Sequence, residues 1–252
     1  MPVLRTKTSR MWLPDALRGL ALLNMLAYHA MYDWVYVFGH ESSWYNIWAP
    51  GCHVWQQYIC WSFILLSGFS FPLAKRPAKN GLLVAGCAAV LTFVTAVFMP
   101  SEAIWFGVLH LNAAAVLLTC LVYPLFQRLP AGAGLAASAA LFVLTNQLPE
   151  GYLGFENWRL CAVPAGLYKT NWFWLGLLDL TQFASADYFP ILPWVFLFWC
   201  GVFLARLWRP GRGEPPAALR PLCAIGRNTL LVYMLHQPVI YGALWVWHTV
   251  LG

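Results

Sequence analysis

The stretch Asp15-Ala-Leu-Arg-Gly-Leu-Ala-Leu-Leu-Asn-Met-Leu-Ala-Tyr-His29-Ala-Met-Tyr-Asp33 decides the reading of this chain. It is mostly apolar and long enough to cross a bilayer as a helix. Yet it carries two acids, an arginine and a histidine. A helix turns about 100° per residue. Counted from Asp15, Arg18 falls near 300°, His29 near 320° and Asp33 back near 0°, so all four lie within an arc of roughly 60°. Asn24 falls near 180°, on the opposite side. Ionisable groups inside a membrane are expensive, so this stripe must face protein or a water-filled cavity, not lipid.

The rest of the chain agrees with a membrane setting. Of 252 residues, 61% are hydrophobic and only 10% charged, which excludes an ordinary soluble domain. An aromatic share of 17%, with fifteen Trp, suits aromatic belts at two interfaces. The net charge of +6 does not point to nucleic acid, because the basic residues sit in loops between apolar runs. Most cysteines lie inside apolar runs and read as small buried hydrophobes. Cys52 and Cys161 fall in loops placed outside, where a disulfide between them is open. The first apolar run is too long for a cleavable signal and reads as a retained span.

A basic arm over 1–13, with Arg5, Lys7 and Arg10, precedes Pro14 and Asp15, which suit the first turn of a helix. That helix runs to about Phe38, with Gly39 to end it. Further spans fall at about 54–74, 81–99, 103–126, 131–148, 189–208 and 227–250. The longest loop covers 149–188, and a Pro/Gly-rich basic loop covers 209–225. The expected fold is therefore all-α: a single domain over 1–252, a polytopic membrane bundle of about seven transmembrane helices, each satisfying its own backbone in lipid. Thirteen of the fifteen Lys and Arg then lie on one side. The other side holds Arg159 and Lys169, which puts the N-terminus in the cytoplasm and the C-terminus outside.

Three histidines fall within spans. His29 lies roughly 21 Å up from Asp15, His110 about 10 Å below the outer end of its span, and His236 roughly 14 Å up from Arg227. The i,i+4 pair His29 and Asp33 suits a general base oriented by a carboxylate, or a structural hydrogen-bonded pair. Asp15 and Arg18 form either an anchoring i,i+3 ion pair or, with Arg220 and Arg227, a site for an anionic cofactor. Tyr233, His236 and Gln237 share a face before Pro238, which frees the Met234 carbonyl; this is a site or a kink with a polar network. His53 and His248 lie near span ends and read as interfacial. Tyr152, Trp158, Tyr168, Trp172 and Trp174 in the long loop read as an interfacial belt, with a sugar-stacking platform as the alternative. No histidine spacing or Cys-x-x-Cys suggests a metal site, and no phosphate loop or nucleophile elbow occurs.

Five stretches together resemble one family. They are Asp15-x-x-Arg-Gly with His29 and Asp33; Phe-Ile-Leu-Leu-Ser-Gly-Phe-Ser at 63–70; Phe-Gly-Val-Leu at 106–109; Asp-Tyr-Phe-Pro-x-x-Pro-Trp at 187–194; and Ile-Gly-Arg-Asn-Thr-Leu-Leu-Val-Tyr-x-x-His-Gln-Pro at 225–238. They resemble the heparan-α-glucosaminide N-acetyltransferase-like bacterial membrane proteins, within the transmembrane acyltransferases. The resemblance implies an enzyme of the plasma membrane that moves acetyl from cytoplasmic acetyl-CoA to an acceptor on the other side. In the animal enzyme that acceptor is the amine of a terminal glucosamine. This chain is shorter, and it has His29 where the animal enzyme has Asn. A histidine important in that enzyme falls on His40 here, so either histidine can be the base.

The expected activity is O- or N-acetyl transfer to an amine or hydroxyl, the expected acceptors being sugars. His29 is the preferred base, with His40 as the alternative. Asp33 orients it, and Gln237 or His236 stabilises the oxyanion. Arg18, Arg227 and Asp15 form the cofactor end. The expected partners are the lipid bilayer and a small-molecule or glycan acceptor, not nucleic acid; a homo-oligomer is left open. A small-solute carrier or a non-catalytic scaffold with the same polar core is the alternative, against which stands the lack of internal repeats.

Overall fold

The computed structural model describes residues 10–251, so Arg5 and Lys7 of the basic arm lie outside the described residues. Its helices are α1 (Trp12–Tyr32), α2 (Pro50–Ser70), α3 (Pro77–Phe98), α4 (Val108–Arg128), α5 (Ala131–Thr145), α6 (Ile191–Leu207), α7 (Arg220–Arg227) and α8 (Thr229–Leu251). One π turn, Asp33–Val37, continues α1. Among the described residues, four helical stretches are long and apolar enough to cross a membrane: Pro77–Phe98, Val108–Arg128, Ala131–Glu150 and Thr229–Val250. Their apolar side chains are presented outward, as at Leu82 (63% exposed), Phe93 (64%) and Leu121 (78%). Water would penalise such a surface and lipid does not.

Two departures from the expected pattern stand out. The long loop is not structureless: β1 (Tyr152–Phe155) and β2 (Trp158–Ala162) form an antiparallel hairpin, so the chain is mostly but not wholly helical. Gly154 has φ +144°, and a Cβ there would fall 1.9 Å from the Trp158 carbonyl oxygen. The second departure lies in the 209–225 segment, whose end is helix α7. Asn228 interrupts the helical path between α7 and α8, its side chain donating to the Ala224 carbonyl at 2.9 Å. Cys52 is buried and Cys161 is exposed, and each is a free thiol.

The described residues form two compact units. One comprises 10–63 with 209–251, and holds α1, the start of α2, α7 and α8. Here Leu22, Met25 and Ile59 make a buried core, with Trp55, Phe63, Ile225 and Val232 packed on it. Asn24, on the face opposite the ionisable stripe, is satisfied by Trp55 Nε1 at 2.9 Å. Helix α7 lies directly against α1. A Cβ on Gly19 would meet the Leu222 carbonyl oxygen at 2.0 Å, and one on Gly226 would meet the Asp15 carbonyl oxygen at 1.9 Å. Small residues permit this backbone approach. Because both obstacles are backbone, Gly19→Ala or Gly226→Ala is expected to cost at least about 1–3 kcal/mol. The check is thermal unfolding of purified protein in detergent; unchanged melting in both would refute the close approach.

The other unit, 64–208, packs by the same means. Gly68 lies on the Phe198 carbonyl and Gly201 on that of Leu65. Trp199 Nε1 donates to buried Thr119 at 3.0 Å, and Arg206 closes the C-terminal end of α4 by donating to the carbonyls of Phe126 and Leu129. Residues 103–107, expected to be helical, are extended and join the segment before α6. Phe189 N donates to Phe106 O at 2.8 Å and Ala186 N to Ala103 O at 3.1 Å. Asp187 then caps α4 from afar, accepting from Val108 N at 3.1 Å. A Cβ on Gly107 would sit 2.3 Å from that carboxylate.

Burial pushes the Asp187 carboxyl up to about 6, although the Val108 N–H favours its charged form. Its folded-state value thus exceeds the ordinary 3.8, so the folded protein holds this proton more tightly than the unfolded chain. The associated stability is present below 3.8 and is lost as pH rises through about 6. Melting temperature is expected to fall over that window in wild type and to fall less in Asp187→Asn. Parallel profiles for the two proteins would refute the assignment.

Candidate active site

All the acids, histidines and arginines singled out for the site belong to the unit of 10–63 with 209–251. They form two groups along α1. At its N-terminal end Asp15 is 2% exposed and is surrounded by three guanidiniums. Arg18 Nη1 lies 3.0 Å from Oδ1, Arg227 Nε lies 3.2 Å from Oδ2, and Arg10 contacts both oxygens, at 2.7 and 3.0 Å. Arg10 is held there by its backbone: its carbonyl accepts from Gly213 N at 3.2 Å, and Met11 bridges to Arg212. Arg227 is placed by the α1–α7 contact at Gly226.

Among the described residues, one carboxylate against three guanidiniums leaves a local surplus of two positive charges. Three guanidiniums carry many more N–H donors than one carboxylate accepts, and Arg10 and Arg227 are 60% and 42% exposed. The group can therefore hold an anion as well as fix the helix end. Two details differ from the sequence reading. Arg227 ends α7 instead of opening the last helix, so its charge meets the negative end of a helix dipole. Arg220 pairs with exposed Glu214 at 3.4 Å and not with Asp15. Arg10 is the residue that sequence reasoning left out of this group. It precedes the helix, so no periodicity could place it on the Asp15 face.

Further along α1, the His29 and His236 rings meet edge to face, with centroids 4.8 Å apart. His236 is 9% exposed. Its Nδ1 pairs with the Tyr233 carbonyl, which can only accept. Nδ1 therefore carries a proton, and in the neutral ring Nε2 presents a lone pair. Asp33 is 1% exposed, and both its oxygens accept from Gln237 Nε2 at 2.9 Å. The expected pairings change accordingly. Asp33 is not hydrogen-bonded to His29, because Gln237 on α8 reaches it. The Gln237 amide nitrogen, expected to face an oxyanion, is engaged here by the Asp33 carboxylate, a strong acceptor.

The remaining histidines lie elsewhere. His40 stacks on Trp34, with centroids 3.9 Å apart, and faces His248 at 5.6 Å. His110 belongs to the other unit. Its Nδ1 accepts from Gly107 N at 3.3 Å, and Nε2 lies 3.1 Å from Thr92 Oγ1, which donates to Ile104 O. That ring is fully used in structure.

Apolar helices of membrane-spanning length, with ionisable side chains gathered on one helix face, define a helical membrane protein carrying a polar site. Residues 10–238 match the family model described as heparan-alpha-glucosaminide N-acetyltransferase, catalytic, and the chain belongs to that family. Membership suggests membrane acetyltransferase activity, and enzymes of this type in general use acetyl-CoA as donor. Comparison with curated proteins and with solved structures yields no match.

Proposed function

We propose that the protein transfers acetyl from cytoplasmic acetyl-CoA to an amine or hydroxyl, such as that of a sugar, at the extracytoplasmic side of the plasma membrane. In this reading one polytopic domain crosses the bilayer seven times, through α1–α6 and α8, with the N-terminus in the cytoplasm. The excess of Lys and Arg in alternate connections supports that orientation.

The observation that carries the proposal is the pairing of two polar groups on one helix. The guanidinium surplus around Asp15 suits the phosphates of CoA. The His29–His236 pair lies roughly 21 Å further along. From Arg18 to His29 the distance along the axis is roughly 16 Å, within reach of an extended pantetheine arm. The imidazole pair, His29 by preference, takes the proton from the acceptor N–H or O–H as that atom attacks the thioester carbonyl. The new C–N or C–O bond forms, the C–S bond breaks, and the proton goes to the departing CoA sulfur. Asp33 and Gln237 hold α1 and α8 together beside the reacting groups. His40 serves the acceptor end.

The test is acetyl-CoA consumption by purified protein, with and without glucosamine. Turnover that rises with the amine supports the proposal. No turnover, or solute uptake by proteoliposomes without CoA binding, overturns it. His40→Ala is expected to reduce turnover less than His29→Ala; the reverse order would move the base to His40.

A further inference from the structure

We infer that Gln237 is a specificity residue whose side-chain carbonyl accepts a hydrogen bond from the acceptor's amine or hydroxyl. The inference rests on the reading of the α1–α8 group as the transfer site.

The orientation of the Gln237 amide is fixed by its neighbour. Both Asp33 oxygens lie 2.9 Å from Nε2. Turning the amide over would place Oε1 against a carboxylate that only accepts, so Nε2 must be the inner atom. Oε1 then points away from Asp33. It is buried and has no hydrogen-bond partner among the described residues. A buried amide carbonyl left unpaired carries the desolvation penalty of that group with nothing to offset it. A side chain held in that state by two contacts on its other end is set up to receive a donor from a ligand.

The surroundings agree in polarity. In the neutral ring His236 Nε2 presents a lone pair, because Nδ1 donates to Tyr233 O. Asp33 is a carboxylate. These groups accept, and Gln237 adds a third acceptor, while its amide nitrogen is engaged with both Asp33 oxygens. Such a lining suits a group that brings several hydrogens, and an amine brings more than a hydroxyl. It does not suit the thioester oxygen, which needs donors. Gln237 therefore serves the nucleophile's side of the reaction and not the oxyanion's. A site built to bond a donor discriminates against the analogue lacking it, because the buried acceptor is then left unpaired.

The test compares binding of glucosamine with that of 2-deoxyglucose, which has hydrogen in place of the amine, read as ligand-induced shifts in melting temperature. Wild type is expected to favour glucosamine by at least about tenfold. Gln237→Met keeps the side-chain length but removes the carbonyl, and is expected to bring the ratio close to one. Gln237→Glu, sharing one proton with Asp33, still presents an acceptor oxygen and is expected to restore the preference. No preference in wild type, or preference retained in Gln237→Met, overturns the inference. So does loss of preference in Gln237→Glu when that variant melts as wild type does. If glucosamine binds with these ratios but acetyl-CoA is not consumed, the transferase reading fails and the assignment of the Gln237 carbonyl stands.

Discussion

Alanine at His29 or at His236 is expected to lower kcat by about 10²–10⁴-fold, the range that general base catalysis contributes. The two rings touch, and in the proposed reaction they share one proton-transfer task, so the double variant is expected to lose little more than either single one. His236 is buried and bonded to Tyr233 O, so His236→Ala is also expected to lower the melting temperature, and kcat is read at a temperature where each variant is folded. The measurement is kcat for glucosamine-dependent acetyl-CoA consumption, with unfolding followed in parallel. Losses that multiply in the double variant would show two independent roles. Full activity in both single variants would remove histidine base catalysis from this helix pair.

The second large effect is expected at Asp15. Its carboxylate is the shared partner of Arg10, Arg18 and Arg227, and it is almost wholly buried. Asp15→Asn leaves three guanidiniums facing one another without a counter-charge. Removing one member of a buried ion group costs about 3–5 kcal/mol. Arg10→Gln is the complementary experiment. Arg10 is 60% exposed, so its pairing adds little to stability, and its guanidinium carries N–H donors beyond the two on Asp15. Loss of one charge-assisted contact is expected to weaken CoA binding by roughly tenfold or more, and raised salt is expected to weaken it in wild type. Calorimetric titration with CoA decides the matter. If Arg10→Gln and raised salt both leave CoA affinity unchanged, the three arginines only lock α1 to α7.

How these residues came to be legible differs from one to the next. The stripe of Asp15, Arg18, His29 and Asp33 followed from helical periodicity alone, and the buried state of both acids agrees with it. The long helices fall near the apolar runs, because run length and turn residues are local properties of the chain. The resemblance of five short stretches to one acetyltransferase family is met by the match over 10–238. Helix α7 was not legible: eight residues beginning Arg-Pro-Leu and containing a glycine have weak intrinsic helicity and owe their state to packing on α1. The hairpin at 152–162 was hidden in the same way, among aromatic residues that suited a membrane interface equally well.

The sequence by itself determined which side chains share a helix face, since 3.6 residues per turn is fixed by the backbone. Only the tertiary structure decided which partners those side chains take. Asp33 had His29 one turn away, yet it bonds Gln237, 204 residues distant in the chain. Asp15 had Arg18 beside it, yet it also gathers Arg227, 212 residues on. A buried carboxylate takes the donors that geometry and desolvation favour, whatever their separation in sequence, and packing at Gly19 and Gly226 brings α7, and with it Arg227, within reach.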